Sequence, residues 1–156
     1  MGCGAVGYRN VQPLQGAVAQ MGQRKKAREL VLKCLYAHDS TGESVDSICE
    51  ALIGTAELAE DSQRFAEQLF RKAAENTQQL DEKIAAFSQN WDIERVAMVD
   101  LCILRIAICE FTSFPDIPVK VSINEAVELA KKYSTQQSSR FVNGILDAVY
   151  KSLEHD

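Results

Sequence analysis

One segment near the middle of the chain constrains the fold more than any other. Between Asp92 and Phe111 apolar residues recur on nearly every side of a helix, and the longest strongly apolar stretch, Val96 to Phe111, is interrupted by Asp100, Arg105 and Glu110. A helix that is apolar all round is normally enclosed by neighbouring elements. The stretch from Val96 to Phe111 falls short of the roughly 20 uninterrupted apolar residues that a membrane span needs. It therefore predicts the central helix of a globular domain and excludes a transmembrane protein.

The segments on either side repeat their apolar residues at helical spacing, and none is typical of a strand. We predict a first helix from Gln23, a short helix over residues 45–53, a long helix from Asp61 to Phe87, a helix that starts at a Ser122–Glu125 capping box and ends near Tyr133, and a last helix capped by Ser134, Thr135 or Ser138. Trp91 is expected to be a core anchor at the start of the central helix. The prediction is an all-α domain of six or seven helices.

The first 20 residues differ from the rest. They hold four of the eight glycines, one proline and no apolar run typical of a signal peptide. We predict a disordered extension over residues 1–20 and a working domain over residues 21–156.

The five cysteines form no C-x-x-C pair, and the two histidines lie far apart, so no zinc spacing is present. The apolar neighbours of Cys34, Cys102 and Cys109 indicate buried, reduced thiols in a cytoplasmic protein. Without a paired nucleophile and base or a phosphate-cradling glycine loop, we expect no enzyme activity, cofactor or metal.

Charge is unevenly distributed along the chain. The net charge is −5, yet residues 1–40 carry six cations and two anions, while the remaining 116 residues carry 11 cations and 20 anions. Local clusters govern the attraction of a polyanion more than the total does. The basic start of the domain is therefore a candidate polyanion site.

Three residues inside helical patterns leave alternatives open. Asp100 and Arg105 interrupt the apolar central helix, and we expect them to cap or brace other helices or to lie on a narrow exposed strip. A role in a site is the less favoured alternative. Gly144 lies within the last helix, where glycine costs about 1 kcal/mol relative to alanine. Close approach of another helix is the favoured reason, and an approaching ligand is the alternative.

The basic run Arg24-Lys25-Lys26-Ala27-Arg28 opens the first helix, where the helix dipole disfavours cations. Bound phosphates would remove that penalty. Further cations lie beside aromatic residues in the C-terminal part: Lys120, Lys131, Lys132 and Arg140 accompany Tyr133 and Phe141. Cations interleaved with rings favour single-stranded nucleic acid, because phosphates pair with the cations and bases stack on the rings.

Four segments taken together resemble the bacterial transcription antitermination factor family NusB. They are the basic run with Leu35-Tyr36, the stretch from Ile103 to Ala107 with Glu110, Ile117-Pro118-Val119 leading into the stretch from Ile123 to Lys131, and the stretch from Phe141 to Asp147. The resemblance covers roughly residues 24–150. It implies two small helical bundles and no catalysis. It also implies binding of boxA-type RNA with the ribosomal protein NusE, in an antitermination complex on RNA polymerase during ribosomal RNA synthesis.

The resemblance also implies particular site residues. Phosphate contacts would come from Arg24, Lys25, Lys26 and Arg28, and the rest of the RNA track would be lined by Lys120, Tyr133, Gln137 and Phe141. Tyr36 and Asp100 match a partner-dependent surface. Lysines at positions 25 and 26 lack the planar fork of arginine, so their phosphate contacts are expected to be weaker.

Three other functions remain open: a self-associating helical adaptor such as a homodimer, a detached targeting module like that of certain ribosomal RNA methyltransferases, and a thiol enzyme. At 156 residues the chain has no room for a separate methyl-donor domain. Salt separates RNA binding from self-association, since each neutralised phosphate makes binding more salt-sensitive.

Overall fold

The computed structural model describes residues 2–88 and 96–154, with side chains described from Gly22 onward. The helices are α1 (Gly2–Thr41), α2 (Val45–Ile48), a π-helix (Cys49–Ile53), α3 (Glu60–Glu75), α4 (Thr77–Phe87), α5 (Met98–Ser113), α6 (Val119–Tyr133) and α7 (Gln136–Glu154). No strand occurs in these two ranges, so the all-α prediction is confirmed. None of the helices in the described ranges is long and apolar enough to cross a membrane.

Helix α5 is the centre of the fold, as predicted. Every residue from Asp100 to Glu110 is buried. Helices α1 and α3 pack on α5 from the N-terminal half of the chain, and α4, α6 and α7 pack on it from the C-terminal half. Because both groups bury their apolar faces against α5, this helix needs apolar residues on all sides.

The predicted long helix is two helices, since α3 ends at Glu75 and α4 begins at Thr77. Asn76 between them has a non-helical backbone, and its side-chain amide donates to the carbonyl of Lys72 at 2.8 Å. Asparagine competes in this way for backbone groups and so favours helix ends. Asp61 does not cap α3, because Ala59 is the N-cap and Asp61 lies in the first turn.

The predicted start of α6 is wrong, and the predicted cap of α7 is confirmed. Helix α6 begins one turn earlier than expected, after Pro118, and Ser122 donates its hydroxyl to Glu110 instead of capping the helix. Proline is tolerated at a helix start because the first amides have no intrahelical acceptor. Thr135 does cap α7, where its Oγ1 accepts from the amide of Ser138 at 2.9 Å.

Helix α1 ends just before a glycine and begins earlier in the chain than the predicted start at Gln23. At its C-terminus Gly42 has φ +75° and donates its amide to the carbonyl of His38 at 3.0 Å, a left-handed ending that glycine favours. At its N-terminus α1 includes residues 2–20, and the disordered extension expected over residues 1–20 stays a prediction. The domain boundary at Met21 stays a prediction, and Trp91 and the predicted start at Asp92 lie outside the described residues.

Candidate nucleic-acid interface

The basic run at the start of the domain is divided between the surface and the interior. Lys25 and Lys26 are exposed, as the sequence predicts. Arg24 is half-buried, and its guanidinium carbon lies 4.1 Å from the centroid of the Phe65 ring on α3. A helix turns by 100° per residue, so consecutive cations cannot all face the same side.

Arg28 corrects the prediction of a phosphate contact. It is only 4% exposed, and its Nε and Nη2 donate to the two carboxylate oxygens of Glu110 at 2.9 and 2.8 Å. The hydroxyl of Ser122 donates to the same carboxylate at 2.9 Å. The three side chains join α1, α5 and α6 in the interior, where a planar guanidinium suits a bidentate pair. The sequence did contain this signal, because Arg28 shares a helical stripe with Ala27 and Val31.

The end of α6 reaches the exposed side of α1. Lys132 Nζ lies 2.8 Å from Glu29 Oε1 and 5.4 Å from the centroid of the Tyr133 ring. Burial and the nearby Glu29 carboxylate raise the pKa of Tyr133. Since Glu29 follows Lys25 and Lys26 by one helical turn, the contact brings Tyr133 to the basic run. Sequence reasoning missed the role of Glu29, although it is the single acid among residues 22–38.

Asp100, Gln137 and Phe141 line one pocket of about 220 Å³. The other lining residues are Val96, Ala97, Thr135 and Ser138. Asp100 is 5% exposed, and its Oδ1 has no hydrogen-bond partner among the described residues. The resemblance assigns Asp100 to a partner surface and the other two to RNA, whereas the fold places all three together. Thr135 and Ser138 add hydroxyls that sequence reasoning did not assign to the site.

Lys120 and Tyr36 lie away from this pocket. Lys120 is exposed in the first turn of α6, 13 residues before Tyr133, or about 20 Å along the helix axis. Tyr36 is 44% exposed on α1, 10 residues or about 15 Å beyond Lys26. The predicted residues therefore form an extended surface and not a single cavity.

Arg105 braces helices, as favoured from the sequence. Its guanidinium donates to both carboxylate oxygens of Asp81 on α4, at 2.7 and 2.8 Å, and also to Asp39 on α1. The arginine is 5% exposed, so the two carboxylates balance a charge that is almost fully removed from water. This cluster connects the two groups of helices and does not belong to the exposed surface.

Gly144 corrects another expectation. A Cβ atom built at this residue would meet nothing within 4 Å. Close approach of another helix is therefore not the reason for glycine at this position of α7, because no described atom lies close enough to require it. The alternative, a ligand that approaches from outside, remains.

The described cysteines behave as core residues. Cys34, Cys49, Cys102 and Cys109 are free and buried. Burial raises the pKa of Cys34, Cys102 and Cys109 to about 12. The nucleophile is the thiolate, so such thiols are poor candidates for catalysis. Within the described ranges no three His, Cys, Asp or Glu side chains group to hold a metal ion.

Fold and surface together define a class: an all-helical domain around one buried helix, with cations and rings collected where the middle of α1 meets the end of α6. The family model that describes the NusB family matches residues 25–151, and the chain belongs to that family.

A curated relative supports the assignment. The chain is 41% identical over 132 residues to the transcription antitermination protein NusB of Chloroherpeton thalassium. The match covers 84% of this chain and 63% of that relative, so the chain spans less than two thirds of its length.

Two solved structures are also similar. T. maritima NusB matches with a TM-score of 0.76 and 35% identity, covering 82% of this chain and 90% of that one. A crystal structure of antitermination factors NusB and NusE in complex with double-stranded RNA matches with a TM-score of 0.76 and 26% identity, covering 85% of this chain and 98% of that one.

Proposed function

We propose that the protein is a cytoplasmic, non-catalytic transcription antitermination factor. It binds boxA-type single-stranded RNA together with NusE and joins an antitermination complex on RNA polymerase that supports ribosomal RNA transcription. Family membership and the similarity to a NusB–NusE–RNA complex support this proposal.

One observation carries the RNA assignment. The Glu29–Lys132 contact links residues that are 103 positions apart, and so brings the Tyr133 ring to the exposed Lys25 and Lys26. Cations for phosphates and rings for splayed bases are the two components of a single-strand site. We propose the RNA track as Arg24, Lys25, Lys26, Lys120, Tyr133, Gln137 and Phe141, without Arg28.

The pocket beside this track supports an RNA-facing role for Asp100 as well. A buried carboxylate oxygen without a partner among the described residues can accept a hydrogen bond from the amino group of a base. Tyr36 is more exposed, and we propose that it contacts NusE.

A salt titration of binding to boxA-type single-stranded RNA, with and without NusE, tests the function. Each neutralised phosphate of a single strand contributes about −0.7 to the slope of log K against log salt. Arg24, Lys25, Lys26 and Lys120 together predict a slope of about −3, and we expect tighter binding when NusE is present. A salt-insensitive self-association without RNA binding would instead support the adaptor.

A further inference from the structure

Glu29 is a carboxylate among the cations Lys25, Lys26 and Lys33 in the middle of α1. Glu29 follows Lys25 and Lys26 by one turn and precedes Lys33 by one turn. The Glu29 carboxylate would repel phosphates bound at Lys25 and Lys26, because salt does not fully screen charges that lie one helical turn apart. Its presence in the proposed RNA track therefore needs an explanation.

The contacts of Glu29 supply one. Its side chain is 17% exposed, while that of Lys132 is 56% exposed, so a mostly buried acid holds an accessible cation. The hydrogen bond from Lys132 Nζ is 2.8 Å long and raises the pKa of Lys132. In the free protein this pair neutralises a cation that lies 5.4 Å from the Tyr133 ring.

We propose that Glu29 is an internal counter-anion, which a phosphate of the bound RNA displaces from Lys132. Glu29 thereby sets the affinity and the salt dependence of RNA binding, and this inference rests on the proposed function. In the free protein Lys132 keeps its place beside Tyr133 without attracting small anions from solution. A strand that also contacts Lys25 and Lys26 competes successfully, because its neighbouring phosphates are already bound.

The substitution Glu29→Gln tests this role in the full chain, with boxA-type single-stranded RNA and NusE present. Releasing Lys132 should tighten RNA binding about 1.5- to 5-fold, the range expected for a surface ion pair. The salt slope should become steeper by up to about 0.7, because Glu29 no longer takes up a cation when the RNA binds. Oligouridylate of the same length should show the same change, since the effect is electrostatic.

Two controls isolate the pair from the general loss of negative charge. Glu128→Gln removes the same charge from an exposed pair with Lys131, whose charged atoms are 3.6 Å apart. In a Lys132→Gln background, the effect of Glu29→Gln should fall to that of Glu128→Gln. Thermal unfolding checks that each variant is folded, and Glu29→Asp, which shortens the side chain by one methylene, replaces Glu29→Gln if that variant does not fold.

Equal effects of the two substitutions, or weaker RNA binding by Glu29→Gln, would overturn the counter-anion role while leaving RNA binding intact. Absence of RNA binding by the unsubstituted protein, with NusE present, would instead overturn the proposed function and this inference together.

Discussion

Arg28 and Glu29 are neighbours in the sequence, yet they belong to two opposite regions of the molecule. Arg28 is paired with Glu110 in the interior, where both side chains are almost fully removed from water. Glu29 is paired with Lys132 at the surface, where the cation is more than half exposed. In the interior an ion pair must stay intact, because a single buried charge is costly. At the surface an ion pair is weak enough for a ligand to displace one of its two partners. One residue of helical rotation therefore separates a structural contact from a proposed functional one.

The interior pair should give the largest effect. Glu110→Gln leaves the Arg28 charge buried without a counter-charge and should lower the free energy of unfolding by about 3–5 kcal/mol. Urea unfolding of this variant and of the exposed control Glu128→Gln measures the difference. If the two variants were equally stable, the Arg28–Glu110 pair would have no structural importance.

The thiols of the interior should make stability depend on pH. Because burial raises the pKa of Cys34, Cys102 and Cys109 to about 12, unfolding lets these thiols ionise at lower pH. Their contribution is complete below the unfolded pKa of about 8.5–9 and is lost as the pH rises towards 12. Between pH 9 and pH 10 each thiol should reduce the free energy of unfolding by about 1 kcal/mol.

Urea unfolding at pH 8, 9 and 10 under reducing conditions measures this dependence. Cys102→Ala provides the control, since it should remove about one third of the thiol contribution to the pH slope. An unchanged slope in that variant would mean that other groups cause the loss.

At the surface, Phe141 should affect RNA binding more than any cation. Stacking of a base on an aromatic ring contributes about 1–3 kcal/mol, so Phe141→Ala should weaken binding roughly 5- to 150-fold. Phe141 is half-buried, and part of its effect will be on stability. Phe111→Ala, at another half-buried ring, is the matched control: it should lower stability and leave the RNA affinity of the folded protein unchanged.

Alanine substitutions at Gly144 and Gly42 test two different properties of a glycine: the free space around it and its backbone φ angle. Gly144→Ala should raise the free energy of unfolding by up to about 1 kcal/mol, because alanine is the better helix former and its Cβ meets no described atom. Gly42→Ala should do the opposite, since φ is +75° there. Thermal unfolding tests both. A destabilising Gly144→Ala would reveal a contact within the fold, whereas weaker RNA or NusE binding by a stabilised variant would reveal one with a ligand.

The exposed lysines should have the smallest effect on stability. Lys26→Gln should change the free energy of unfolding by less than about 0.5 kcal/mol. It should make the slope of log K against log salt shallower by about 0.7. Arg28→Gln is the informative comparison, because it should unfold the protein more easily in the same urea titration. Equal stability of these two variants would remove the distinction between the two regions.

The helical class, the enclosed central helix and the basic character of residues 24–28 could all be predicted from the sequence. These follow from periodicity and from charge counted along the chain, which are local properties. The same periodicity does not show where helices α3 and α4 separate or where α6 begins. Asn76 decides the first point through its side-chain hydrogen bond to the carbonyl of Lys72. Pro118 decides the second, because proline lacks an N–H and is tolerated at a helix start but not inside a helix.

Which charges are available to a ligand depends on how the helices pack. Arg28 and Lys26 look equivalent in the basic run, and Glu110 occupies an apolar helix without a visible partner. The partner lies 82 residues away for Arg28 and 103 residues away for Glu29, and each contact exists because α1 and α6 both pack on α5. Whether a charge is buried and neutralised depends on groups that folding brings together, and spacing along one helix cannot identify them.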